Sequence, residues 1–155
     1  MSRVVLAAAD EELALRVKHA ADGDVAELPP GRLPADPARL FEQLADGELP
    51  DVLVIGPLAE MGEALALASR LDVQAPGISV VLVARAMPEL WPVAMRAGIR
   101  DVLAPDLDDR DLRMALERAA TAASGRRGPD PRGPARGAGH PGAGRDRGGE
   151  VRRRR

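Results

Sequence analysis

Short, nearly unbroken aliphatic runs recur along the first 104 residues, the clearest being Val4-Val5-Leu6-Ala7-Ala8, Val52-Leu53-Val54-Ile55 and Ser79 to Ala84. A strand with one wet face alternates apolar and polar residues, so runs without alternation belong to strands covered on both sides. Asp24 to Leu28, halted by Pro29-Pro30, and Asp101 to Ala104 are weaker runs of the same kind. Between the runs, apolar residues return at spacings of three and four. Glu11 to Ala21 carries Leu13, Val17 and Ala20 on one side, and a helix from Pro37 presents Leu40, Phe41 and Leu44. Met61 to Leu71 and Pro88 to Ala97 follow, the latter strained by Pro92 and closed by Gly98. Asp108 caps a last helix, with Asp111 at the capping-box position and Leu112, Ala115, Leu116 and Ala119 on its apolar side. Asp36, just before Pro37, is a second expected cap.

Five strand–helix units of this kind predict an α/β fold, a doubly wound five-stranded parallel sheet with helices on both faces. The flavodoxin-like order 2-1-3-4-5 is expected, and a Rossmann order is the main rival, because the units alone do not fix strand order. Phe41 and Trp91 are the only aromatic residues, so the core must be aliphatic.

Charge divides the chain in two. Residues 1–124 hold 12 basic and 21 acidic side chains, a net −9, whereas residues 125–155 hold 10 basic and 3 acidic, a net +7. The second segment has no large apolar residue before Val151. It cannot bury enough surface to offset its ordering entropy, and a disordered Arg/Gly/Pro-rich tail or linker is expected after a domain of residues 1–124. Its arginines could attract nucleic acid or anionic lipid by counterion release, but without interleaved aromatic residues no specific nucleic-acid recognition is expected. There is no cysteine, which excludes disulfides and thiolate chemistry and fits a reducing compartment; the cytoplasm is the expected location. The first apolar run is cut short by Asp10, Glu11 and Glu12, so neither a signal peptide nor a transmembrane segment is expected.

Several landmarks resemble the receiver domains of the response-regulator superfamily over residues 3–122. Pro50-Asp51-Val52-Leu53-Val54-Ile55 is similar to that family's third strand, and Ser79-Val80-Val81-Leu82-Val83-Ala84 to its fourth. Ala97-Gly98-Ile99-Arg100-Asp101-Val102-Leu103, followed by an acidic cap and Leu112, resembles its turn into strand five and its final helix. Receiver chemistry needs a carboxylate nucleophile after strand three, an acidic pair after strand one for Mg²⁺, a hydroxyl after strand four and a lysine after strand five. A phosphoryl group approaching an aspartate requires a divalent cation and a fixed ammonium to offset the crowded negative charge. The matching positions here are Gly56, Ala8 and Ala9, Val83 or Ala84, and Pro105. The resemblance therefore implies an atypical receiver with no catalytic residues and no cofactor.

Sliding strand one by a residue would bring Asp10 into the acidic pair as a weak cation ligand. The other reading is that Asp10, Glu11 and Glu12 favour the positive end of helix one. Asp51 lies at the far end of strand three, and Glu60 is four residues beyond Gly56, so neither replaces the nucleophile.

Atypical receivers of this kind resemble the N-terminal domain of CpaE/TadZ-type pilus-assembly proteins, where one precedes a MinD/ParA-like ATPase. No Gly-Lys-Ser or Gly-Lys-Thr occurs, and Lys18 is the single lysine, so ATPase activity does not carry over. Read one nucleotide later, codons for Arg145 to Glu150 can encode Val-Ile-Ala-Val-Val, the type of strand that precedes a P-loop. A truncated or frameshifted form of a longer protein is one expectation for the tail.

By resemblance, a protein partner or a second copy of the chain would meet helix four, strand five and helix five, through Trp91, Met95, Arg96, Arg100, Asp101 and Arg113. A buried Trp91 filling the core is the competing reading of that residue. The function implied is a phosphorylation-independent interaction or localisation module. The alternative is a phosphorelay receiver with an unusual acceptor. A nucleotide-binding enzyme would need a glycine-rich turn after strand one, which Ala7-Ala8-Ala9-Asp10 lacks. His19 and His140 are isolated and are read as surface residues.

Overall fold

A computed structural model of the chain describes residues 2–21, 24–44, 49–85 and 87–127. Five strands and five helices alternate: β1 (Val4–Ala7), α1 (Glu11–Ala20), β2 (Val25–Glu27), α2 (Pro37–Glu42), β3 (Val52–Ile55), α3 (Met61–Gln74), β4 (Ser79–Val83), α4 (Leu90–Arg96), β5 (Ile99–Leu103) and α5 (Asp109–Arg127). The strands form one sheet in the order β2-β1-β3-β4-β5, and every pairing is parallel. That order removes the Rossmann alternative. It also places the reversal of the winding between β1 and β3, so the turns after these two strands lie side by side at the sheet's carboxyl edge.

The aliphatic runs earn their lack of alternation by feeding two cores. Val5, Leu53, Ile55 and Leu82 point to one face, where they meet Leu40 of α2, Leu67 and Leu71 of α3 and Ala94 of α4. Val4, Leu6, Val52, Val54 and Val81 point to the other, against Leu13 and Val17 of α1 and Leu112, Leu116 and Ala119 of α5. Burying each branched aliphatic side chain contributes about 1.5–3 kcal/mol, and no aromatic residue lies within either fully buried set.

Local chemistry fixes the helix starts. Asp36 Oδ1 accepts from the Ala38 N–H at 3.1 Å, and Asp108 Oδ1 from the Asp111 N–H at 2.8 Å. Asp51 ties the amino ends of two strands together, its Oδ2 accepting from the Arg3 N–H at 2.8 Å.

Four boundaries differ from the sequence reading by two residues or more. α3 continues for three residues past Leu71, through an exposed turn in which Val73 is 81% accessible, so burial periodicity could not reveal it. β5 starts at Ile99 rather than Asp101, because Gly98, at φ +82°, turns the chain straight from α4 into the ladder, where Ile99 pairs with Val80. α4 begins at Leu90, so Pro92 sits in the first turn, where its missing N–H has no intrahelical acceptor to lose, and the expected strain is absent. α5 runs to Arg127, three residues beyond the expected domain boundary. The Arg/Gly/Pro-rich tail, His140 and the Arg145–Glu150 segment lie outside the described residues.

Candidate functional site

At the carboxyl edge, Gly56 follows the last residue of β3, and Ala8 and Ala9 follow the last residue of β1. The two turns are bolted together. Gly56 N–H donates to the Ala7 carbonyl at 2.8 Å, and Leu58 N–H donates to the Ala8 carbonyl at 3.0 Å. Ala8 accepts a left-handed backbone, φ +53°, to make this approach. That conformation costs a residue bearing a Cβ about 1–2 kcal/mol.

The result is a glycine requirement at residue 56. A Cβ built there would stand 2.5 Å from the Ala8 carbonyl oxygen and 2.7 Å from Ala9 Cα, both of them main-chain atoms that cannot swing aside. The backbone of the β1–α1 turn thus occupies the space where an acceptor side chain would have to begin. Absence of an aspartate here is a matter of backbone path as well as of sequence.

Asp10 takes the helix-end role: its Oδ1 accepts from the Leu13 N–H at 2.8 Å and caps α1. Among the described residues no group of three or more His, Cys, Asp or Glu could hold a metal ion. Val83 is buried at the end of β4, and Ala84 is half-buried, donating its N–H to the Leu103 carbonyl at 2.9 Å. Beside them a cleft of about 240 Å³ opens between Gly56, Met61, Ala64, Leu82, Ala84 and Pro105, with Arg85 as the one charged side chain that lines it among the described residues.

Pro105, which the resemblance matches to the receiver lysine, is held from the opposite side by Arg16 of α1. That guanidinium donates to the Pro105 carbonyl at 3.0 Å, to the Asp109 carboxylate at 2.8 Å and to the Leu107 carbonyl. With only 20% of its side chain accessible, the Arg16 fork is a partly desolvated latch on the β5–α5 turn. Nothing in local sequence marks Arg16, because its acceptors lie about 90 residues away.

The second candidate region is the side of α4, β5 and α5. Trp91 is 49% and Met95 37% accessible, so Trp91 does not fill the core; Leu90 and Ala94 do that. Arg96 and Arg100 are exposed. A bulge between Val80 and Val81 pairings leaves Arg100 without a partner in the ladder and aims it outward, while Asp101 pairs with Val81. Asp101 is half-buried and faces Arg118 of α5 at 3.6 Å. Arg113 turns the other way and approaches the His19 carbonyl of α1 at 3.5 Å. Five of the six expected contact residues therefore lie on α4 and β5, and Arg118, which the sequence did not single out, stands where Arg113 was expected.

Solved structures place this architecture. A pilus assembly-related protein from Burkholderia pseudomallei K96243 is 31% identical, with a TM-score of 0.63 over 79% of this chain and 91% of that one. The pilus assembly protein CpaE from Burkholderia thailandensis E264 is 32% identical, with a TM-score of 0.62 over 78% of this chain and 99% of that one. The chain belongs to this CpaE-type receiver family. Its fold is shared more widely: the receiver domain of an HD-domain protein from Pseudomonas fluorescens Pf-5 aligns with a TM-score of 0.64 at 18% identity, over 81% of this chain and 91% of that one. A response regulator from Thermotoga maritima aligns at 0.63 and 20%, over 78% of this chain and 99% of that one. No family model matches the sequence, and no curated protein is similar enough in sequence to match it. Among the described residues of this CpaE-type receiver, no helix is long and apolar enough to cross a membrane.

Proposed function

We propose that this CpaE-type receiver is a non-enzymatic, phosphorylation-independent protein-interaction and localisation module of a cytoplasmic pilus-assembly apparatus. One observation carries the reading: main-chain atoms of Ala8 and Ala9 stand within 2.9 Å of where a Cβ at residue 56 would be. A phosphoacceptor cannot be supplied there without rebuilding the β1–α1 turn. With no switch chemistry at the edge, the domain works through surface it presents permanently. The surface proposed is that of α4 and β5 with the adjoining side of α5, where Trp91, Met95, Arg96 and Arg100 are exposed and Asp101 is half-buried. Exposed tryptophan and arginine are the residue types most enriched at binding hot spots. The occupant is a pilus-assembly protein or a second copy of the chain.

The experiment is incubation with acetyl phosphate and Mg²⁺, followed by intact-mass measurement and by sedimentation and pull-down against pilus-assembly proteins. No phosphoryl adduct is expected, and binding should be the same with and without the treatment. Trp91→Ser and Arg100→Glu should abolish it. A hydroxylamine-sensitive adduct, or binding that survives both substitutions, contradicts the proposal.

A further inference from the structure

We propose that the cleft beside Gly56 is a binding site for a short branched aliphatic group that carries a carboxylate. The site lies where ligands of open parallel sheets bind, at the carboxyl ends of β3, β4 and β5, but its chemistry is the reverse of a phosphoryl–magnesium pocket. Met61, Ala64, Leu82 and Pro105 give it apolar walls, and among the described residues no acidic side chain lines it. Its volume, about 240 Å³, exceeds the roughly 150 Å³ that suffices to hold a benzene molecule.

Arg85 supplies the polar end. It is exposed and lines the cleft, and like Arg39, Arg96, Arg100 and Arg110 it has no hydrogen-bond or ion-pair partner among the described residues; what sets it apart is its place beside the apolar walls. A guanidinium without a partner beside an apolar recess matches a ligand with one carboxylate and one aliphatic branch, since such pockets combine apolar walls with a few orienting polar groups. A leucine-like acid has that shape, either as a free small molecule or as the last residue of another chain. Neither the α4–β5–α5 surface nor the phosphorylation-independent reading is needed for this site. Its failure would leave both standing.

The test is a titration of the full chain, followed by amide chemical shifts, with four probes: N-acetyl-leucine, its neutral amide, acetate, and a hexapeptide ending in leucine. N-acetyl-leucine should shift the amides of Gly56, Ala84, Arg85 and Ala104 saturably. The amide and acetate should each bind at least ten-fold more weakly, and so should N-acetyl-leucine with Arg85→Gln, a surface change that leaves the apolar walls in place. The tail's arginines also attract carboxylates, but their response would persist in Arg85→Gln and is told apart by residue. Tighter binding of the hexapeptide assigns a chain terminus as the ligand, and tighter binding of N-acetyl-leucine assigns a free acid. Equal response to acid and amide, an unchanged affinity in Arg85→Gln, or shifts confined to residues 126–155 would overturn the proposal.

Discussion

The carboxyl edge at β1 and β3 and the side of α4 and β5 are built from the same kind of strand ends, yet they have opposite character. At the first, two turns share main-chain hydrogen bonds and approach so closely that residue 56 must be glycine. At the second, Trp91, Met95, Arg96 and Arg100 are exposed, and a bulge pushes Arg100 out of the ladder. At Gly56, where the receiver resemblance would put the acceptor, this chain packs backbone against backbone. Where it needs no chemistry, it displays side chains suited to contact. On the proposed reading the two regions separate stability from recognition, and substitutions should sort accordingly.

The largest effect is expected for Gly56→Asp. Overpacking against main-chain atoms should cost about 3 kcal/mol, lowering the melting temperature by roughly 10–15 °C, without creating an acceptor. Thermal unfolding followed by circular dichroism measures the first part and acetyl phosphate labelling the second. Restored phosphorylation would mean that the turn moves aside readily. Next comes Arg16→Ala, which removes three hydrogen bonds and leaves the Pro105 and Leu107 carbonyls without their donor, a loss of about 2 kcal/mol in urea unfolding. Arg16→Lys should recover less than half, because a single ammonium cannot span the fork's three acceptors.

How much of this was written in the sequence depends on the range of the interaction. The strands, the helices and the caps at Asp36 and Asp108 rest on neighbours within a few residues, and these were legible. Asp10 was legible only as two alternatives, since a carboxylate before a helix serves either a cap or a cation until the position of the next turn is known. The glycine requirement at residue 56 depends on atoms 47 and 48 residues away, in a turn whose left-handed Ala8 carries no sequence mark. Arg16 and Arg118 were missed for the same reason, each meeting partners that the chain brings near only by folding. Arg113 was assigned to a side of α5 that its sequence position cannot specify, and its contact with the His19 carbonyl shows that it belongs with α1.

A smaller effect, of opposite sign, is expected from Ala8→Gly. Relief of the φ +53° backbone should outweigh the added freedom of the unfolded chain, raising stability by about 0.5 kcal/mol. Unchanged or lower stability in urea would show that Ala8 carries no strain. Smallest of all should be the stability changes at Trp91→Ser and Arg100→Glu, within about 0.5 kcal/mol of the parent, because both residues are exposed. Urea unfolding beside the binding assay would then show full loss of contact with no loss of fold. A comparable loss of stability would erase the contrast between the two regions.

The claim on which the rest stands is that main-chain atoms of Ala8 and Ala9 fill the place where an acceptor side chain at residue 56 would begin. Fluorine NMR of the chain with beryllofluoride and Mg²⁺ addresses it directly. Only signals of the unbound fluoroberyllates are expected, at any protein concentration. A protein-bound fluorine resonance accompanied by amide shifts at Ala8, Ala9 and Gly56 would contradict the account.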